Sequence, residues 1–356
     1  MDLRSDQRVA TIGQLALRSQ LIDRLHICCS FQGNTLSQPT LLPASGQTKR
    51  APDAIHSIEL ESLYLNGIPL NRNKSGNQIK YISALAFKLA PKLPQPDPDS
   101  IASLATQLIH TWIQFSTSQA SIRVNPFGQQ FWDHLILSQH PPGWLQFHLL
   151  DPGIAAWLQI LLEHIVSEPQ APRSNPCSQA STPSHNWQTS EGFTILQTHA
   201  RCSTLLNLGS QTHPLPWNQI RQPNHQSSLP CPDPAHYPWL TDQQQLRLET
   251  DAEWSLLLQI SDTMDRLAQL SPAFHLQSIQ PQPVQSQPVQ SRQLFKIALT
   301  LSQAFQKMDA ACPIGSALSP ADSQLTIARL GLVQLTQWLL QLLIETGSPY
   351  LAPFAL

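Results

Sequence analysis

Charge is scarce in this chain. Only 12% of its 356 residues are Asp, Glu, Lys or Arg, and the formal net charge is −2. A protein that holds nucleic acid by bulk attraction is usually basic. That mode is excluded, so any RNA contact must come from local shape and a few side chains. Glycine is sparse at 13, whereas proline is abundant at 31. No P-loop, G-x-G-x-x-G, H-E-x-x-H or G-x-S-x-G string occurs, so the common nucleotide, zinc-protease and hydrolase signatures are missing.

Paired metal ligands are missing too. Cys28, Cys29, Cys177, Cys202, Cys231 and Cys312 form no C-x-x-C pair, and the thirteen histidines show no ligand spacing. Cys231 and His236 lie close, but in a Pro-rich loop. Neither a metal, a cofactor nor a disulfide framework is expected. The opening residues, Met1 to Asp6, are polar and mixed in charge, unlike a signal peptide. The most apolar stretch, Leu325 to Ile344, is interrupted by Arg329, Gln334, Gln337 and Gln341, which argues against a membrane span. A soluble, cytoplasmic protein is expected.

What is present suffices for real cores: 41% hydrophobic residues and a mean hydropathy of −0.19. Helical spacing over Gln14–Cys28 predicts a first helix, with Leu17, Leu21, Ile22 and Leu25 on its apolar side. Residues 55–68 suggest a strand or two, Ser83–Ala90 a short helix, and Ile101–Phe115 a longer one. Trp144–Leu149 alternates as a strand should, and Asp151-Pro152 opens another helix. The stretch from Glu168 to Ser190 has little to bury and is the best domain boundary.

Beyond it the pattern is almost wholly helical. Helices are predicted over Glu191–Asn207, from a Thr241/Gln244 capping box to Leu270, over Gln293–Ala311, and from Ser319-Pro320 to Thr346. The tandem QPVQS repeat within Ser278–Ser291 is expected to be flexible. The fold class is therefore mostly α. A smaller α+β domain spans 1–167, a linker 168–190, and an antiparallel helical bundle 191–356.

Several strings in that order resemble the arginyl-tRNA synthetase family. Leu196–Ser203, LQTHARCS, is similar to the helix that opens the family's DALR anticodon-binding domain. Leu294–Cys312, Ala328–Leu343 and the ending Thr346–Phe354 resemble its later helices and tail. In the first half, Gly76–Ala90, the helix at Ile101, Pro142–Phe147 and Asp151–His164 resemble segments of the family's N-terminal additional domain. There the chain departs from the pattern: the family's Gly-Asp is Gly76-Asn77, its Asn is lost and a short insertion follows.

In the synthetases a catalytic domain lies between these halves. Here only Glu168–Ser190 is available, and an independent domain needs at least about 50 residues. Neither an H-I-G-H nor a K-M-S-K-S string occurs. The chain is expected not to bind ATP or activate arginine, and to be no enzyme.

The resemblance implies a DALR-type bundle that binds tRNA. His199 and Arg201 would face the anticodon stem, or else hold the bundle together. Trp217, Tyr237 and Trp239, with Arg221 and Asn218 nearby, could stack unpaired bases, or pin a loop. Arg247 and Arg329 would join Arg201 and Arg221 on one surface if RNA is the ligand. Tyr350 and Phe354 match the tail that approaches the anticodon loop. Asn77 and Gln78 stand where contacts to the tRNA D-loop are implied. From Phe193 onward, however, eight Lys and Arg face ten Asp and Glu, which disfavours a phosphate-tracking surface. The competing reading is a protein-interaction scaffold or regulatory subunit that kept the fold and lost the RNA. Its partner could be a full-length synthetase.

Overall fold

The computed structural model describes residues 14–35, 67–73, 76–92, 98–117, 127–167, 189–212, 237–270, 287–314 and 320–347. These fall into two compact units, divided between Leu150 and Asp151. The helix that begins at Asp151 therefore groups with the second unit, although the sequence pattern suggested a boundary at 168–190. Most of the described chain is helical, as expected.

The first unit holds a four-stranded antiparallel sheet. Its strands are β1 (Leu70–Asn73), β2 (Ile79–Ser83), β3 (Leu135–His140) and β4 (Trp144–Leu149), in the order β1-β2-β4-β3. Residues 55–66 lie outside the described residues. The β1–β2 connection contains Gly76 at φ 75°, a left-handed conformation that favours glycine. At the β3–β4 turn the Gly143 N–H donates to the His140 carbonyl at 3.1 Å. A side chain on Gly143 would collide with Ile101.

Alternation decides what each strand buries. Ile79, Tyr81, Leu145, Phe147 and Leu149 are buried on one face. Two helices, α1 (Leu17–Thr35) and α3 (Pro98–Thr117), complete this core with Leu17, Leu21, Leu25, Leu104, Leu108 and Trp112. Trp112 meets Phe147 edge-on at 5.3 Å. The short helices α2 (Leu85–Leu89) and α4 (Gly128–Asp133) pack beside β4 and β3. The Arg24 guanidinium is enclosed between the rings of Trp112 and Trp132, at 4.7 and 4.1 Å. This arrangement keeps a buried cation over two aromatic faces.

Burial also holds the His26 imidazole down to about 4, against an ordinary value near 6.5. Between those values the unfolded chain binds a proton that the folded chain refuses. Stability contributed by this group is thus complete above the unfolded value and is lost as pH falls toward 4. Urea midpoints should fall between pH 7 and pH 4.5, and His26→Phe should flatten that slope.

The second unit is built from α5 (Asp151–Ser167), α6 (Ser190–Thr212), α7 (Asp251–Leu270), α8 (Gln287–Ala311) and α9 (Pro320–Gly347). Helix directions follow from cross-helix contacts. Thr198 and Arg201 of α6 meet Gln306 and Asp309 of α8, so these two run parallel. Ser203 meets Gln337, and Gly209 meets Leu330, so α9 runs against α6. Thr250 meets Cys312 while Gln259 meets Thr300, so α7 runs against α8. The four helices therefore alternate in direction along the chain.

The α9 helix is the centre of this unit. Over Ser323–Gly347 it is long and apolar enough to cross a membrane by length and composition, yet most of that stretch is buried. It packs on α6, α7, α8 and α5, and His164 of α5 meets Trp338 edge-on at 6.4 Å.

Two local expectations fail for identifiable reasons. Thr241 and Gln244 do not cap α7. Gln244 has φ 61°, which no helix accepts, and the Thr241 carbonyl and hydroxyl instead close a tight turn onto Gln244 and Gln245. The capping box lies nine residues later. There Thr250 Oγ1 accepts from the Glu253 N–H at 3.3 Å, and Glu253 Oε2 accepts from the Thr250 N–H at 2.7 Å. The second QPVQS copy, residues 287–291, forms the opening of α8; proline is tolerated in a first helical turn.

Candidate nucleic-acid interface

The bundle was expected to carry the RNA contacts, and the structure accounts for most of its candidate residues. His199 is buried in α6. Arg201 is exposed, but its guanidinium makes two bonds to Asp309 of α8: Nε to Oδ2 at 3.0 Å and Nη2 to Oδ1 at 3.4 Å. Arg329 donates through Nε to Oε1 of Glu253, a carboxylate with no solvent exposure. The other oxygen of Glu253 accepts from the N–H groups of Glu249 and Thr250 and from the Thr250 hydroxyl. Arg329 thus neutralises a buried capping carboxylate and is not offered to a ligand. Arg201 and Arg329 are each held by an acid. Trp217, Arg221, Tyr350 and Phe354 lie outside the described residues.

Tyr237 and Trp239 are also committed to structure. They belong to a small β-turn ribbon, closed by the Leu240–Leu246 bridge and by the Arg247 N–H donating to the Trp239 carbonyl. Their rings stack on each other at 5.6 Å and 18°. Both are buried, and the Tyr237 hydroxyl donates to Gln334 Oε1 at 2.6 Å. They rest on α9 at Gly331, where an added Cβ would lie 2.5 Å from Trp239 Cη2 and 2.8 Å from Tyr237 Cδ1. No base can enter this stack, and the aromatic pair pins the ribbon. Gly331→Ala should destabilise the protein by about 1–3 kcal/mol through overpacking, read as a lower denaturation midpoint.

An open surface exists elsewhere, on the face of the sheet opposite the core. Register defines its rungs. Asn73, Lys80, His148 and Ile136 form one, and Asn71, Ile82, Gln146 and Ser138 the next. Trp144 and His140 form a third at the β3–β4 turn. No Asp or Glu occurs on any rung. Edge positions Asn71, Ile136, Ser138 and His140 are exposed, and central positions are half-buried, as expected where strands flank both sides.

Trp144 is 38% exposed, and Phe87 of α2 braces its ring at 5.1 Å. No ion pair engages Lys80 among the described residues. Asn77 and Gln78 are exposed beside this sheet, in the β1–β2 connection. An exposed, braced indole can stack on an unpaired base. Amides and hydroxyls can read base edges, and a lysine without a competing acid can receive a phosphate.

The sequence pattern had already put Trp144, Gln146 and His148 on one side of a strand. It could not show β3 or the strand order, so the face was missed. Among the described residues no group of three or more His, Cys, Asp or Glu side chains could share a metal ion. Compared with protein-family models, curated proteins and solved structures, the chain shows no match.

Proposed function

We propose that this chain is a non-catalytic, arginyl-tRNA synthetase-like protein that binds tRNA through the open face of its N-terminal sheet. The observation that carries this reading is an acid-free face bearing an exposed Trp144 beside Gln146, His148 and Lys80. Two further features support it. An α+β unit precedes a helical unit, in the order the resemblance implies. The catalytic strings of the synthetases are missing from the sequence. The bundle then serves as scaffold at Tyr237, Trp239 and Arg329, which are enclosed within it.

The test is a titration of the purified protein with total tRNA and with an arginine-accepting transcript, at two salt concentrations. With one lysine and two histidines on the face, the salt slope should be shallow, about −0.7 to −0.9 per phosphate neutralised. Absence of binding at low salt would overturn the proposal.

A second reading, a protein-interaction scaffold, is favoured by one specific observation. Arg201, Arg329, Tyr237 and Trp239 are all occupied by intramolecular partners. Under that reading Trp144 and Ile136 would seat a protein side chain, and tRNA would not bind.

A further inference from the structure

The sheet ends in two edge strands that are built differently. At the β1 edge, the Ala84 N–H donates to the Pro69 carbonyl. By alternation the Leu70 carbonyl then points away from β2. Nε of Arg18 on α1 donates to that carbonyl at 3.1 Å, and Arg72 adds a charge to the strand. Covering groups and charges are how proteins keep an edge strand from pairing with another chain.

The β3 edge has no such guard among the described residues. Leu135–His140 contains no Asp, Glu, Lys, Arg or Pro, and its register with β4 runs from end to end without a bulge. The Leu150 N–H donates to the His134 carbonyl. The even-numbered residues of β3 therefore bond to β4, and the N–H and C=O groups of Leu135, Leu137 and Gln139 point outward. No described backbone group bonds to them there. The side chains are incompletely covered as well. Leu135 and Leu137 lie on the core face but are only half-buried, whereas Leu145, Phe147 and Leu149 on β4 are buried.

Helix α3 runs along the same edge. Gln139 holds it, donating to the Ala102 carbonyl at 3.3 Å and accepting from the Thr106 hydroxyl at 3.0 Å. The helix runs against β3, since Ile101 lies at Gly143 and Trp112 at Trp132. Ile109 and Ile113 continue the side of the helix that Ala102 and Thr106 occupy. At about 1.5 Å per helical residue and about 3.3 Å per strand residue, they stand level with Leu137 and Leu135. Ile113 is 53% exposed.

We propose that the β3 edge is a self-association surface, through which two copies of this chain pair antiparallel about a two-fold axis at Leu137. A second copy is the occupant that fits, because this edge is its own complement. The outward groups fall symmetrically about Leu137. Leu137 pairs with its counterpart, Leu135 with the partner's Gln139, and every outward N–H and C=O finds a bond. Two strands without Asp, Glu, Lys or Arg meet without like-charge repulsion. Ile109 and Ile113 of both copies close over the pairing and complete the burial of Leu135 and Leu137. The interface is small against the roughly 1,200–2,000 Å² of a standard one, so the dimer is reversible. It leaves the open faces of both copies on one side of a continuous sheet. The inference does not depend on what those faces bind.

The experiment is sedimentation equilibrium of the full chain over about 1–200 μM, a range that brackets micromolar affinity. The mass should rise with concentration from 39.6 kDa toward twice that value. Leu137→Pro removes an outward N–H that β4 does not use, a position where an edge strand accepts proline, and should remain a single copy. Ile113→Lys alters an exposed side chain and should fold like wild type. It should weaken association about tenfold or more by placing a charge in an apolar contact. Under mild oxidation Leu137→Cys should cross-link two copies, because directly opposed Cα atoms of a bonded pair lie about 5.5 Å apart, within disulfide reach. Ser138→Cys should not, since it opposes the partner's Ile136 and meets its own counterpart only on a diagonal of about 7–8 Å.

A mass of one copy across the whole range would overturn the proposal. So would a dimer in which Ile113→Lys associates like wild type, or in which Leu137→Cys cross-links no faster than Ser138→Cys. Circular dichroism shows whether Leu137→Pro has folded; if it has not, the Ile113→Lys and cysteine variants decide the question.

Discussion

Trp144→Ala should weaken tRNA binding by roughly 5- to 150-fold, the equivalent of about 1–3 kcal/mol for one lost base stack. The expected loss is large because Trp144 is the exposed aromatic of its face, and Phe87 already holds its ring in place. A preordered ring gives up little entropy on binding. The fold should tolerate the change, since Leu145, Phe147 and Leu149 carry the β4 side of the core from the opposite face. Unchanged circular dichroism together with weakened binding would separate contact from collapse. Lys80→Ala should have a smaller effect on affinity but reduce the salt slope by about 0.7–0.9, one phosphate's share. If Trp144→Ala binds like wild type, the sheet face is not the RNA surface.

Glu253→Ala should destabilise the protein by about 3–5 kcal/mol, as breaking a buried pair from one side usually does. Its carboxylate serves several groups at once. One oxygen accepts from two backbone N–H groups and a hydroxyl, and the other holds Arg329. Alanine would leave those donors unmatched at the start of α7 and strand a cation that is only 15% exposed. Arg329→Ala should cost a similar amount by leaving the carboxylate buried and alone. The double variant should cost less than the sum of the two, which a denaturant-unfolding cycle would show. A loss below about 1 kcal/mol for both single variants would mean the pair is a surface contact.

Much of the helical framework was legible in the sequence, because apolar residues at helical spacing have one economical solution. The stripe from Leu294 to Met308 and the nearly unbroken apolar run of α9 led directly to their helices. Capping was harder. Thr241 and Gln244 and Thr250 and Glu253 are both the right residues at the right spacing. Only the left-handed Gln244 and the burial of Glu253 distinguish the turn from the cap.

The candidate site was the least legible part. Arginines and tryptophans look the same in sequence whether they face a ligand or a neighbour. Arg329 is spent on Glu253, 76 positions away, and Trp239 on the gap left by Gly331. Conversely, the open face needs two strand pairings before Lys80, Gln146 and Ser138 become neighbours. Such long-range register is set by the whole sheet and not by any local pattern.

The most direct test of the central claim is hydroxyl-radical footprinting of the protein with and without tRNA, read by mass spectrometry at each side chain. If tRNA lies on the sheet face, it protects Trp144, Ile136 and His140, while the buried Trp239 and Tyr237 react little in either state. Unchanged oxidation of Trp144 at saturating tRNA, or protection confined to the bundle, would contradict it.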